Sequence, residues 1–213
     1  MKKSTILREI EQRNIVHIKY FAKGHRGLLF TAKFKNCGVV IKIKNPESRA
    51  IGRIQNEAEW LRILNKHGIG PKLLFCSKAF IAYKYIFGDF ISDYIKKSNK
   101  DKIVDILYKV LMQLYKMDKL NITKGEMHHP YKHIIVTKNK LPVMIDFERC
   151  HKSLRPKNVS QFCQFLLSSR IAEILKSKNI ILDKNRLINT AKIYKNDICL
   201  VNVKRIIKYL NEN

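Results

Sequence analysis

The spacing of apolar residues changes character near residue 88. Before it, short apolar runs are separated by turns containing glycine or asparagine; after it, apolar positions recur every three or four residues. Ser4 is placed to cap a short helix over residues 5–12, with Ile6, Leu7 and Ile10 on one face. Residues 15–21, 28–34 and 39–44 read as strands. The first two are joined through the glycine-containing turn at residues 24–27, the next two through Asn36-Cys37-Gly38, so the three predict an antiparallel meander. Pro46 and Glu47 open a helix expected to reach Lys66, in which Ile51, Ile54, Ala58, Leu61 and Leu64 keep helical spacing and after which Gly68 supplies a stop. Residues 73–75 and 79–83 add two strands.

Beyond Gly88 the clearest helix covers residues 101–116, with Ile103, Ile106, Leu107, Val110, Leu111 and Leu114 on one face. Residues 121–133 are too polar and irregular for a strand or a regular helix. Residues 134–136 and 143–145 predict a hairpin around Lys138-Asn139-Lys140, and residues 159–176, 184–194 and 201–210 read as helices. The pattern predicts an α+β chain. A five-stranded antiparallel sheet with one helix after its third strand forms an N-terminal lobe over residues 1–85, and a mostly helical lobe follows over residues 86–213.

Composition narrows this picture. A chain of 213 residues that is 46% hydrophobic and 9% aromatic has enough apolar surface to bury a core, which excludes a disordered protein. No apolar run suffices for a transmembrane helix, and Met1-Lys2-Lys3 leads into Ile6-Leu7-Arg8-Glu9 rather than a signal-peptide core. The expectation is a cytoplasmic protein without a membrane partner. Five cysteines, Cys37, Cys76, Cys150, Cys163 and Cys199, include no Cys-x-x-Cys and are expected to be reduced, mostly core thiols. The 43 Lys and Arg against 17 Asp and Glu give a formal net charge of +26, which attracts polyanions and makes RNA or a ribonucleoprotein a natural contact. The lysines are spread along the whole chain, so this contact is assigned to no particular residues.

Candidate chemistry lies where a charged residue interrupts an apolar pattern. The run 143–145 delivers the Asp146 carboxylate to a strand end, and Phe147 beside it can pack inward and fix its direction; hard oxygen of this kind suits Mg²⁺ carrying phosphates. Lys42 is embedded in an apolar strand, and Glu57 lies on the helix that follows. Each alone has an ordinary reading. Asp146 is a turn residue, Lys42 snorkels to solvent, Glu57 and Glu59 are solvated, and Gly24 and Gly27 shape a hairpin. Taken together and in this order they can act on a nucleotide. Backbone amides over Gly24, His25, Arg26 and Gly27 cover phosphates, Lys42 reaches the α- and β-phosphates, Glu57 holds Lys42, and Asp146 holds the metal.

With these residues in place, the chain resembles the protein-kinase superfamily. The stretch from Lys23 to Ala32 carries the second and third glycines of the family's Gly-rich loop at Gly24 and Gly27, with Ala22 at the first. Val39-Val40-Ile41-Lys42 is similar to the Val-Ala-Ile-Lys strand, Asn56-Glu57-Ala58 to the helix glutamate, and Asp146-Phe147-Glu148 to Asp-Phe-Gly. Tyr83-Lys84-Tyr85-Ile86-Phe87-Gly88 resembles the hinge, with Lys84 in place of a common Glu. Small size and Asp-Phe-Glu resemble the short atypical RIO-type and KEOPS-type kinases. The strings from Gly125 to His133 and from Ile145 to Arg149 resemble a group of predicted archaeal Ser/Thr protein kinases. The resemblance covers residues 15 to about 167. It implies a two-lobed fold with ATP in the cleft, Mg²⁺ or Mn²⁺ as the metal, Tyr83 and Tyr85 beside the nucleotide, and a protein substrate.

The catalytic loop departs from the family pattern. Aligned from upstream, Lys124-Gly125-Glu126 puts Glu126 at the catalytic base; aligned from the hairpin downstream, His133 falls at the metal-binding asparagine and His128 at the base. Glu126 is taken as the base-like residue and His133 as metal-proximal or structural, with a zinc or iron site at His128, His129 and His133 as the alternative. Three functions follow: an active ATP-dependent Ser/Thr phosphotransferase; a kinase-fold ATP-binding or ATPase module, weak or inactive in transfer, in a ribonucleoprotein or RNA-modification complex; and a basic RNA-binding scaffold.

Overall fold

The computed structural model describes residues 3–23, 27–44 and 53–212. The chain is mixed α+β and divides into two compact units, one made of residues 1–86 and 145–149, the other of residues 87–144 and 150–213.

The first unit begins with α1 (Lys3–Glu11) and continues through β1 (Ile15–Lys23), β2 (Gly27–Phe34), β3 (Cys37–Lys44), α2 (Arg53–Asn65), β4 (Leu73–Cys76) and β5 (Phe80–Lys84). All five strands pair antiparallel in the order β1-β2-β3-β5-β4, the meander with a helix after its third strand that the apolar pattern predicts. Side chains alternate between the faces of a strand. Val39, Ile41 and Ile43 of β3 therefore share one face, where they pack with Ile10, Ile15, Phe30, Ala32, Phe80 and Ala82. Burying each large apolar side chain contributes about 1.5–3 kcal/mol, so this cluster fixes the register of β3.

Only part of the helix expected over residues 46–66 can be compared, because residues 45–52 lie outside the described residues. At its C-terminal end the Asn65 amide donates to the Ile69 and Pro71 carbonyls, and its Oδ1 accepts from Leu73 N at 2.8 Å. These bonds serve backbone groups at the helix end and set where β4 begins.

The second unit contains β6 (Gly88–Phe90), α3 (Ile91–Lys97), α4 (Lys100–Lys119), β7 (Ile122–Thr123), β8 (Ile134–Thr137), β9 (Pro142–Met144), β10 (His151–Lys152), α5 (Asn158–Leu166), α6 (Ser169–Lys176), α7 (Lys184–Asn196) and α8 (Leu200–Glu212). The expected hairpin is β8–β9, and β6 joins it to make three strands. The single helix expected over residues 159–176 is two helices. Ser168 Oγ donates to the Phe165 carbonyl at 2.7 Å, and this local bond competes with helix continuation.

Asp118 of α4 joins three helices. It accepts from Asn158 N and Nδ2 at 3.1 and 2.7 Å, from Val159 N at 3.2 Å and from the Tyr194 hydroxyl at 2.9 Å. The five cysteines form no disulfide. The expectation of mostly core thiols is corrected: Cys150 and Cys163 are buried, Cys76 and Cys199 are half-buried, and Cys37, in the β2–β3 turn, is exposed. Among the described residues, no helix is long and apolar enough to cross a membrane.

Candidate functional site

The alternation that sends Val39, Ile41 and Ile43 into one core sends Lys42 to the opposite face of β3, opposite Leu29 and Ile81 in register and on the face that carries Tyr83. On α2 the buried positions Ile54, Glu57, Ala58, Leu61 and Leu64 form one stripe. Glu57 thus occupies a core-facing position and is only 1% exposed. The third contribution comes from residues 145–149. Phe147 is fully buried, and Gly70 has a backbone that leaves room for its ring, since a Cβ there would meet Phe147 Cε2 at 2.9 Å. With Phe147 anchored, Asp146 and Glu148 on either side of it both reach the lysine. Asp146 adopts a φ of 62°, a left-handed backbone that an aspartate tolerates better than most residues.

Lys42 Nζ lies 2.8 Å from Glu57 Oε2, 3.1 Å from Asp146 Oδ1 and 3.1 Å from Glu148 Oε2. The other oxygen of Glu57 accepts from Phe147 N at 3.3 Å. Asn56 Nδ2 donates to the Glu148 carbonyl at 2.9 Å while its Oδ1 accepts from Trp60 Nε1 at 3.0 Å, so α2 holds the backbone of residues 146–148 as well as the lysine. Gly27 matters for close approach: a Cβ there would stand 3.1 Å from Lys42 Cγ and Cε and from the Ile43 carbonyl oxygen.

One ammonium faces three carboxylates, which leaves two negative charges in excess. Burial by itself would push the Lys42 pKa down, but Glu57, Asp146, Tyr83 and Glu148 outweigh it and hold the ammonium well above its ordinary value. Burial raises the Glu57 carboxyl, against the pull of Lys42 and with Asp146 and Glu148 adding to the rise. Burial, and then the negative charge of Glu57, raise the Tyr83 hydroxyl too.

Among the described residues, the group of three or more His, Cys, Asp or Glu donors close enough to share an ion is Glu57, Asp146 and Glu148, with ligand oxygens within 4.8 Å of one another. Hard carboxylate oxygens with a double negative excess fit a divalent cation such as Mg²⁺. No histidine belongs to this group, and among the described residues His128, His129 and His133 form no such group of their own.

The structure therefore brings Lys42, Glu57 and Asp146 together, with Tyr83 on the same face. Tyr85 is half-buried; its N–H donates to the Gly38 carbonyl at 2.9 Å and its ring meets Phe21 edge-on at 6.4 Å. Gly24, His25 and Arg26 lie outside the described residues. Glu126, His128 and His133 belong to the second unit, in the irregular stretch between β7 and β8. Glu126 has a φ of 58° and its carbonyl accepts from His129 N, His128 and His129 have ring centroids 4.7 Å apart, and His133 N donates to the Pro130 carbonyl. Glu148 is the residue of this cluster that sequence reasoning missed, having been read only as a replacement for glycine. Its signal was its spacing: two residues from Asp146, across an inward aromatic, it can present its side chain on the same side.

No family model matches the chain, and no curated protein matches it.

Proposed function

We propose that the chain is an ATP-dependent phosphotransferase of two-lobed, protein-kinase-like architecture that transfers the γ-phosphate of ATP to a hydroxyl, with Ser or Thr of a protein as the substrate class. The observation that carries this reading is the buried Lys42 held by Glu57 and flanked by Asp146 and Glu148. A purely structural lysine needs one counter-ion. Here a cation stands among three carboxylates whose excess charge matches a divalent ion.

In this reading Lys42 binds the phosphates, Glu57 fixes the direction of the ammonium, and Asp146 and Glu148 are the residues that would hold Mg²⁺. A divalent cation held there would supply charge neutralisation for the transferred group. Catalysis of this kind is positioning plus electrostatics, and the protein forms no covalent bond with the phosphoryl group. Glu126 is assigned the alignment of the acceptor hydroxyl, with His128 as its alternative. The departure of this loop from the family pattern favours a second reading, an ATP-binding module without transfer activity.

Calorimetry with ATP, together with phosphoryl transfer in Mg²⁺ or Mn²⁺, separates the two readings. Lys42→Met and Asp146→Asn are expected to lower transfer by about a hundredfold or more, the scale of removing one preorganised electrostatic partner. Glu126→Gln is expected to lower transfer while leaving ATP binding intact. ATP binding that needs Lys42, with no turnover in any protein, selects the binding module. No ATP binding to the wild type with either metal overturns both.

A further inference from the structure

The first unit also contains a cleft that shares no residue with the carboxylate cluster. It has a volume of about 720 Å³ and lies at the C-terminal end of α2, lined by Arg62, Lys66, Lys72 and Leu73 together with Asn65 and two glycines. Its lining contains three cations and no carboxylate.

In a chain with 43 basic and 17 acidic residues, a cation without a counter-ion is common and by itself marks nothing. These three are set apart by sharing one concave surface. Arg62 and Lys66 stand four residues apart, the spacing at which α4 pairs Lys109 with Asp105 at 2.8 Å. Like charges at that spacing disfavour each other, and a bound anion relieves them. Among the described residues none of the three has an ion-pair partner. Arg62 Nη2 donates to Cys76 Sγ, a weak acceptor, which directs the guanidinium and leaves its other donors open.

The cleft is also fixed before any ligand arrives. The Asn65 amide donates to the Ile69 and Pro71 carbonyls, and its Oδ1 accepts from Leu73 N, so the backbone between Lys66 and Lys72 is tied to the end of the helix. The Lys72 carbonyl accepts from Lys84 N at 2.9 Å, which ties the far wall to β5. Binding therefore orders side-chain ends and not a loop, and preorganisation of this kind lowers the cost of binding.

We propose that this cleft binds the phosphodiester backbone of a single-stranded nucleic acid. Arg and Lys side chains are donors with no acceptor, and Asn65 has both ends of its amide engaged, so the side chains suit phosphate oxygens and offer nothing to a peptide N–H. The volume exceeds what one phosphate group fills and lies within the range of ligand clefts. The lysine stems and the half-buried Leu73 supply apolar surface for a sugar. The net charge of +26 draws a polyanion towards the molecule, and the cleft is where its phosphates are held.

The test is fluorescence anisotropy with an oligouridine of about ten nucleotides, a length typical of single-strand sites, titrated at several salt concentrations. The cleft variant combines Arg62→Gln, Lys66→Gln and Lys72→Gln. A control of equal net charge combines Lys176→Gln, Lys192→Gln and Lys195→Gln, exposed positions in the second unit. Losing three phosphate contacts is expected to weaken binding by about a hundredfold at about 0.1 M salt and to lower the salt slope by about two. The control should lose less than about threefold, since charges far from the bound strand are screened. Oligoadenosine should bind like oligouridine, because phosphate contacts carry no sequence information. Exchanging Arg62→Lys, Lys66→Arg and Lys72→Arg should keep the salt slope. If the cleft variant melts below the wild type, Lys66→Gln and Lys72→Gln decide singly, each expected to lower the slope by about 0.7. Equal losses in the cleft variant and the control overturn the site in favour of a diffuse surface field. Displacement of the RNA by polyglutamate of matched charge overturns the preference for phosphodiester, and no RNA binding by the wild type overturns the proposal outright.

Discussion

Gly27 shows how much the lysine site depends on one missing methyl group. A Cβ at that position would lie 3.1 Å from two carbons of Lys42, tighter than nine in ten Cβ contacts in proteins, and just as close to the Ile43 carbonyl oxygen, which is less able to give way than the side chain. Gly27→Ala should therefore displace the ammonium rather than unfold the sheet. The expected outcome is ATP affinity lowered by about tenfold, because the lysine's hydrogen bonds are charge-assisted and sensitive to angle. Thermal melting beside calorimetry distinguishes this from loss of the fold. Lys42 and Asp146 were legible from their settings, a charge inside a strand of Val and Ile and a carboxylate at the end of an apolar run; Glu57, which alone read as solvated, was singled out only by its order with them and by the family resemblance. Glu148 was missed because its one signal, a position two residues from Asp146 across an inward aromatic, needs the burial of Phe147 to be recognised.

Among the elements, the junction of α4, α5 and α7 at Asp118 is the polar counterpart of the apolar packing around it. Burial raises the Asp118 carboxyl, and hydrogen bonds from Tyr194, Val159 and Asn158 partly oppose that rise. A carboxyl with a raised pKa in the folded state binds more protons there than in the unfolded chain. Its contribution is fully present below the ordinary aspartate range and is lost as pH rises through the raised value. Asp118→Asn lacks this titration and is expected to cost about 1–3 kcal/mol through mismatched hydrogen bonds. Urea denaturation from about pH 4 to about pH 7 should show the wild type's advantage over the variant shrinking as pH rises. Elements with a full period in the sequence, such as α4 and the β1–β3 meander, were readable from it. The strands β6, β7 and β10, of two or three residues each, are too short to show any period and exist only through their partners. The break between α5 and α6 was hidden because Ser168 is unremarkable in sequence until its hydroxyl meets the Phe165 carbonyl.

At the scale of the whole molecule, an acidic site sits in a chain of net charge +26. The two features separate by experiment because Lys42 is buried and contributes nothing to the outer basic surface. If that charge binds single-stranded RNA through about seven phosphates, the affinity should fall by about a thousandfold between about 50 and about 200 mM salt. Lys42→Met should leave that binding and its salt slope unchanged while removing ATP binding; a filter-binding titration against salt checks both. The strand-to-helix change near residue 88 was visible in the apolar pattern. The return of residues 145–149 to the first unit was not, because it depends on where Phe147 is buried.

That return has a consequence for how the protein can be divided. The polypeptide passes from one unit to the other after residues 86, 144 and 149, so a single scission after residue 86 does not separate two self-sufficient pieces. The leading fragment would keep Lys42 and Glu57 but leave Asp146 and Glu148 on the trailing one. Neither piece inherits the whole charge cluster, and only fragments that reassemble can restore it. The lysine site is thus a property of the intact chain, and gene fission at that junction would remove it even if every residue were retained.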